Sequence, residues 1–187
     1  MSKIEHFGET QNVEITVLVD NRADLMVRST ETVKRYTDEP LLAEHGFAAL
    51  VDLKDAGVSI LWDAGITSTA FMENVKRMEI DLTTIDKIAL SHGHGDHFAA
   101  MTDVLKETAG HPSYREWDED VTAEEIHDWI ESRKVPLILH PAVLRERWGI
   151  DEEGGKKYGP NTVPRAEWEA AGANLILSEG PYQLGPG

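Results

Sequence analysis

The sequence contains the run Ser91-His92-Gly93-His94-Gly95-Asp96-His97, in which four side chains able to bind a metal fall within six positions. Alternate side chains of an extended segment point the same way, so His92 and His94 are predicted to bind one ion together. Asp96 and His97 follow where the chain turns into a helix, and are predicted to face a second ion. The two glycines allow the backbone to turn tightly beside a metal. Imidazole and carboxylate donors predict a divalent ion, with zinc as the first choice and manganese or iron as alternatives.

The composition limits the classes of protein to which this chain can belong. With 187 residues, 41% hydrophobic and 28% charged, the chain is predicted to form a single globular domain over residues 1–187. No apolar run is long enough to span a bilayer, and the N-terminus lacks a signal pattern, so no membrane partner is expected. The absence of cysteine excludes disulfides and thiolate metal sites, and the cytoplasm is the predicted location.

The charge balance argues against nucleic acid as a partner. The chain carries 18 basic and 34 acidic residues, for a formal net charge of −16. A surface of this sign repels phosphate backbones instead of displacing their counterions. Nucleic acid is therefore not an expected partner.

Apolar patterning predicts a mixture of strands and helices. The predicted strands are Val13–Val19, Phe47–Leu53, Val58–Trp62, Lys87–Leu90, Pro136–Leu139 and Asn174–Leu177. The predicted helices are Ser68–Met78, His97–Thr108, Ala123–Arg133, Pro141–Trp148 and Arg165–Ala171. The stretch Glu152 to Pro160 is predicted to be a glycine-rich connection. Strands that alternate with helices in this way are typical of an α/β layered fold.

The histidine run resembles the HxHxDH signature of the metallo-β-lactamase superfamily. The strand before it (Ile88-Ala-Leu90) and the helix after it occupy the expected places, and Ile60-Leu-Trp62-Asp63-Ala-Gly65 resembles the superfamily's strand ending in Asp-x-Gly. The resemblance covers roughly the first 145 residues. It implies a metallo-β-lactamase-like αββα sandwich, of which this chain is expected to hold the N-terminal portion with its connecting helices.

Further stretches are similar to one subgroup of that superfamily, the 7,8-dihydropterin-6-methyl-4-(β-D-ribofuranosyl)aminobenzene-5′-phosphate synthases. These stretches are Leu18-Val-Asp20-Asn21, Glu44-His45-Gly46-Phe47-Ala48-Ala49-Leu50, Ser91-His92-Gly93-His94 and His140-Pro141. The likeness implies a phosphorylated pterin-like substrate. The chain departs from the subgroup at Phe98-Ala99-Ala100, where a Thr-Gly-Gly tract is more usual.

The resemblance also implies roles for the motif residues. His92 and His94 would bind the first metal, and Asp96 with His97 the second. A bound divalent ion lowers the pKa of its water and supplies hydroxide as a nucleophile, and Asp96 is the catalytic candidate that would orient that water. Asp63 is expected to hold one ligand histidine through its other ring nitrogen. The alternative for Asp63 is a helix N-cap.

Four residues outside the motif are weaker candidates. His45 either lines the pocket or is an ordinary loop residue. His140, at the end of an apolar strand, either reaches the site or simply ends that strand. Arg145 and Arg147 either contact a phosphate or belong to a solvated helix face.

The motif does not supply all the ligands of a two-metal site. In the subgroup a later Ser-His pair contributes, and no histidine follows His140 here. The chain is therefore expected to be either the N-terminal part of a longer protein or the product of a naturally short gene. An incomplete sandwich would leave an open sheet edge and an apolar face, which favours a homodimer. The leading hypothesis is a metal-dependent hydrolase of a small, phosphorylated or pterin-like substrate; the alternative is a metal-binding half-domain that a partner or a dimer completes.

Overall fold

The structure is a computed structural model that describes residues 8–24, 26–35, 38–109, 118–151 and 157–186. Its strands are β1 (Val13–Val19), β2 (Ala48–Leu53), β3 (Val58–Trp62), β4 (Lys87–Leu90), β5 (Val135–Leu139), β6 (Arg147–Ile150), β7 (Lys157–Asn161) and β8 (Ala173–Leu177). Its helices are α1 (Ser68–Arg77), α2 (Gly95–Phe98), α3 (Met101–Ala109), α4 (Ala123–Ser132) and α5 (Arg165–Ala170). Two short 3-10 turns lie at Leu82–Thr84 and Pro141–Leu144.

A mixed sheet of six strands, in the order β1-β2-β3-β4-β5-β8, forms the centre of the fold. The first three strands pair antiparallel, and β3, β4, β5 and β8 run parallel. Because parallel strands end at the same edge, the residues that follow β3, β4 and β5 are brought together there. Those residues are Asp63, the histidine motif and His140.

Helices α1, α3 and α5 cover one face of this sheet and form the main hydrophobic core. Phe71, Met101 and Trp168 are fully buried against strand residues such as Leu61. Asn74 is buried among them, and its amide donates to the carbonyl oxygens of Leu18 (2.7 Å) and Leu42 (2.9 Å). These bonds join helix α1 to strand β1 and to the connection that follows that strand. A buried amide needs such partners, because they replace the hydrogen bonds to water that it loses on burial.

The other face of the sheet is apolar and only partly covered. Leu53, Ile60 and Ala89 form a small buried cluster, against which Leu184 packs. Farther along the same face Ile15 is 63% exposed. The described residues add only the antiparallel ribbon β6–β7 to the main sheet, and no second sheet of a sandwich lies among them.

Most of the predicted elements are confirmed to within a few residues, but the predicted helix Pro141–Trp148 is wrong. Only the 3-10 turn forms after Pro141, and strand β6 then begins at Arg147 and pairs with β7. Gly149 disfavours a helix and Trp148 and Ile150 favour a strand, and the ribbon partner lies beyond the range of a local pattern. Strand β7 also replaces the end of the connection predicted from 152 to 160, of which residues 152–156 lie outside the described part.

The predicted helix His97–Thr108 is divided in two. Helix α2 already begins inside the motif at Gly95, and α3 continues from Met101 after a break at residues 99 and 100. Among the helices of the described residues, none has the length and apolarity needed to cross a membrane.

Candidate metal centre

The histidine motif leaves the end of strand β4 and enters helix α2. Residues 91–94 are extended, and His94 is the residue directly before the helix, where His97 N–H donates to its carbonyl oxygen at 3.0 Å. The His92 ring lies 4.6 Å from the His94 ring and 4.2 Å from the His97 ring, measured between centroids. Asp96 Oδ2 lies 3.5 Å from His97 Nε2. The three imidazoles and the carboxylate thus form one cluster, with His92 in contact with the side chains of both predicted metal pairs.

Asp63 contacts this cluster through Ser91 and His97. Its side chain is 1% exposed. Its Oδ1 accepts from Ser91 N–H at 2.8 Å, and its Oδ2 lies 2.6 Å from Ser91 Oγ and 2.7 Å from His97 Nδ1. The N-cap alternative for Asp63 is wrong, because Thr67 caps helix α1 by accepting from Ala70 N–H. The buried carboxylate therefore positions His97, with the Nε2 of that ring facing Asp96.

Ser91 connects Asp63 to a second histidine, His92. A carboxylate can only accept hydrogen bonds, so the single hydroxyl proton of Ser91 goes to Asp63. Ser91 Oγ must then accept from His92 Nδ1, which lies 2.9 Å away. The network places the protons of His92 and His97 on Nδ1, and leaves both Nε2 atoms available to a metal. Ser91 was not predicted to have a role in the site, although the sequence places it between a predicted strand and the first histidine.

His45 lies beside the motif. Its Nε2 is 3.3 Å from Asp96 Oδ2, and its Nδ1 is 3.1 Å from Asn21 Oδ1. Its side chain is 76% exposed, whereas that of Asp96 is 21% exposed. Asn21 follows β1 in the chain, so the ends of two distant segments meet at the motif carboxylate.

The residues on either side of His45 fix the loop that carries it. The Glu44 carboxylate accepts from the backbone N–H (2.9 Å) and the hydroxyl (2.6 Å) of Thr67, at the start of helix α1. Gly46 has φ +126°, and a Cβ built there would lie 2.2 Å from the carbonyl oxygen of Asp96. Phe47 N–H donates to that same oxygen at 3.3 Å. The Glu44-His45-Gly46 stretch is thus packed directly against the backbone of the motif.

His140 occupies the edge of the sheet predicted for it, but its contacts are local. Leu139 pairs with Leu90, so the end of β5 adjoins the start of the motif. His140 Nδ1 accepts from Ala142 N–H at 3.1 Å and caps the 3-10 turn. Within the described part of the chain its hydrogen bonds stay in that turn, and a contact with substrate or metal remains a prediction.

The donor set suits a divalent ion in its chemistry. Burial and the neighbouring His97 and His94 rings lower the pKa of His92, and this favours the neutral imidazole that binds metals. Among the described residues, no three His, Asp or Glu side chains yet surround a common point. Binding of a metal therefore requires side-chain rotations from these positions, and such rotations are common when a protein binds its partner.

The lowered pKa of His92 predicts a pH dependence of stability in the metal-free protein. Below the ordinary histidine value of about 6.5, the unfolded chain takes up a proton that folded His92 resists. The associated stability is complete above that value and is lost as the pH falls toward the lowered pKa. We expect the Tm of chelator-treated protein to fall more steeply from about pH 7 to pH 5 than that of His92→Gln. Equal slopes in the two proteins would contradict this assignment.

A cavity of about 520 Å³ adjoins the motif on the side of His94. The ribbon β6–β7 forms its opposite wall. The sequence did not predict this cavity, because residues 141–148 were expected to form a helix. Arg147 lines this cavity from β6, whereas Arg145 is exposed on the preceding turn. The solvated-helix interpretation of these two arginines is wrong, because neither lies in a helix.

Two curated proteins are similar in sequence to this chain. The 7,8-dihydropterin-6-methyl-4-(β-D-ribofuranosyl)-aminobenzene-5′-phosphate synthase of Methanocaldococcus jannaschii is 22% identical over 184 residues, which are 97% of this chain and 51% of that protein. The uncharacterized protein MJ0448 of the same organism is 35% identical over 92 residues, or 49% of this chain and 29% of that protein. The chain thus spans about half the length, or less, of these curated relatives.

Solved structures of low identity are also similar to the chain. A putative metallo-β-lactamase from Thermotoga maritima matches 91% of this chain and 60% of its own, with 13% identity and a TM-score of 0.44. A diphosphatase of the PhnP family matches 71% and 43%, with 20% identity and a TM-score of 0.38. The family model described as the metallo-β-lactamase superfamily matches residues 43–164, which include Asp63 and the whole histidine motif. The chain belongs to the metallo-β-lactamase superfamily.

Proposed function

We propose that this protein is a metal-dependent hydrolase that acts on a small, phosphorylated or pterin-like molecule. The observation that carries the proposal is the network from Asp63 through Ser91 to His92 and His97, which keeps the ring protons on Nδ1 and leaves the Nε2 atoms unprotonated at one end of the sheet. Zinc is the proposed metal, with manganese or iron as alternatives, because imidazole and carboxylate donors suit these ions. The name of the Methanocaldococcus relative, which combines a pterin with a phosphate, supports the substrate class.

His92, His94, Asp96 and His97 are the residues proposed to hold the metal. When bound, a divalent ion supplies an activated water and polarises the bond to be broken. Asp63 and Ser91 hold the histidine tautomers, and Asp96 is proposed to orient the attacking water. His45 contacts Asp96 Oδ2 and is proposed to fix that carboxylate. The hydrogen bonds of Asp63 and Ser91 fix the tautomers of two rings before substrate arrives, which reduces the cost of organising the site.

We expect His92→Ala to remove metal from the purified protein and to abolish metal-dependent hydrolysis of an aryl phosphate. His127→Ala is the matched control, because His127 is exposed on helix α4. Metal is counted by elemental analysis after dialysis, and hydrolysis is followed with and without a chelator. About two ions per chain support the hydrolase. Unchanged metal content in His92→Ala would show that the site is assigned wrongly.

The alternative is a metal-binding half-domain that a homodimer or another partner completes. The partly covered sheet face favours it, because Ile15, Val17 and Trp62 are 63%, 45% and 38% exposed on the same side. Exposed apolar patches of this kind mark association surfaces. Sizing of the protein at several concentrations tests this idea. One weakly bound ion with no turnover in the monomer, and turnover only in the dimer, would favour the half-domain over the hydrolase that acts alone.

A further inference from the structure

The cavity beside the motif has two chemically different walls. Gly93, His94 and Phe98 come from the motif and helix α2, whereas Arg147 and Trp148 come from strand β6. Its volume of about 520 Å³ suits a small organic molecule. A molecule that fills this cavity touches a proposed metal ligand on one side and an arginine on the other.

The guanidinium of Arg147 packs directly against Gly93. A Cβ built on Gly93 would lie 2.0 Å from Arg147 Nη2 and 2.4 Å from Cζ, so only glycine leaves room for it. Arg147 Nη2 donates to the carbonyl oxygen of Val143 at 2.7 Å, and lies 3.4 Å from that of Ala142. Gly93 thus leaves space for the guanidinium in this position, and its φ is not positive.

The cation of Arg147 has no carboxylate partner within the described residues. Arg35, Arg77 and Arg165 each pair with an acidic side chain. Arg22, Arg28 and Arg145 are exposed to water, whereas Arg147 is partly buried and makes no ion pair with the described residues. Its Nη1 is buried and has no hydrogen-bond partner among the described residues. Arginine keeps its charge in proteins, and a partly buried cation loses some of its hydration without a counter-ion to replace it. The chain contains 34 acidic residues, yet none of the described carboxylates pairs with this cation.

We propose that Arg147 binds an oxyanion of the substrate, a phosphoryl or carboxylate group, in the cavity next to His94. The proposal rests on the proposed function for its placement beside the reaction. Nη2 keeps its carbonyl partners and holds the guanidinium over Gly93. A small rotation of the side chain exposes Nη1, which then donates a charge-assisted hydrogen bond to the ligand. Phe98 and Trp148 supply apolar surface for a ring attached to the anionic group.

Inorganic phosphate, titrated calorimetrically into the purified protein, is the first probe. We expect Arg147→Met to weaken its binding at least about tenfold, because a charge-assisted bond is lost. Arg145→Met is the matched control: it removes the same charge two residues away from an exposed position, and should change affinity less than about twofold. Equal affinities in the two variants would overturn the proposal.

A conservative variant protects the test against misfolding. Arg147→Lys keeps the charge and loses the planar fork, so phosphate should bind it more weakly than it binds wild type. Circular dichroism and the Tm show whether each variant is folded. If only Arg147→Lys folds, an unchanged phosphate affinity in that variant overturns the proposal. Titration with benzoate separates the two anions: binding of either supports the site, and binding of neither overturns it.

The kinetic arm separates this inference from the proposed function. For phenyl phosphate, Arg147→Met should raise KM about tenfold or more with metal content unchanged, whereas a neutral phenyl ester should be unaffected. Metal-dependent hydrolysis with no such selective effect would overturn the role of Arg147 and leave the hydrolase standing. If phosphate binding depends on Arg147 but the protein shows no metal-dependent hydrolysis, the role of Arg147 stands and the hydrolase is overturned.

Discussion

Asp63→Asn is expected to weaken binding of a divalent ion by roughly 10- to 100-fold while the fold is retained. The asparagine carbonyl can still accept from Ser91 N–H, as Asp63 Oδ1 does at 2.8 Å. The amide nitrogen, however, replaces the oxygen that lies 2.7 Å from His97 Nδ1. A donor there makes Nδ1 an acceptor and moves the imidazole proton to Nε2, the atom the metal needs. Asp63 has φ +60°, which asparagine tolerates better than most residues, so backbone strain is not introduced.

Asp86→Asn provides the control for this experiment. Asp86 Oδ2 accepts from the backbone N–H of Ser59 at 2.8 Å, in an arrangement like that of Asp63 with Ser91 but without a histidine. The two substitutions remove the same charge and keep the same kind of acceptor. Metal affinity is measured by competition with a chromogenic chelator, and the Tm of each metal-free protein reports folding. Wild-type metal affinity in Asp63→Asn, or an equal loss in Asp86→Asn, would contradict the positioning role.

Much of this site could be predicted because its residues are contiguous. His92, His94, Asp96 and His97 lie on one short run, and the strand before that run shows its own apolar pattern. Asp63 was predicted as a partner of a ligand histidine from its place after a second strand, and the contact with His97 has the expected atoms. Parallel strands then bring both strand ends to one edge, which a pattern of alternating elements already indicates.

The opposite wall of the cavity could not be predicted, because its structure depends on pairing between distant residues. Arg147 is in a strand only because β6 pairs with β7, ten residues later in the chain. Local propensity had favoured a helix from Pro141, and tertiary pairing overrode it. The seat for Arg147 on Gly93 joins residues more than fifty positions apart, and a glycine gives no sign of what packs on it. The role of Ser91 was missed for a related reason: a hydroxyl has no distinctive spacing.

The largest loss of stability is expected for Gly46→Ala, at least about 2 kcal/mol in the free energy of unfolding. Gly46 has φ +126°, which L-residues rarely adopt, and the new Cβ would lie 2.2 Å from the Asp96 carbonyl oxygen. That oxygen belongs to helix α2 and already accepts from Phe47 N–H, so it cannot yield without moving the motif. Metal affinity should therefore fall together with stability.

Gly57→Ala separates the steric contact from the cost of the backbone conformation. Gly57 also has a positive φ, +61°, but a Cβ there meets nothing within 4 Å. We expect it to cost roughly 1 kcal/mol, the ordinary penalty for alanine in a left-handed conformation, and to leave metal affinity unchanged. Urea unfolding of both metal-free variants measures the two free energies. If Gly46→Ala costs no more than Gly57→Ala and binds metal normally, then the loop of Glu44, His45 and Gly46 is not packed against Asp96 as tightly as the contact distances require. If the excess cost appears with a loss of metal affinity, that loop is a structural support of the site, and its exposed His45 owes its place beside Asp96 to the glycine that follows it.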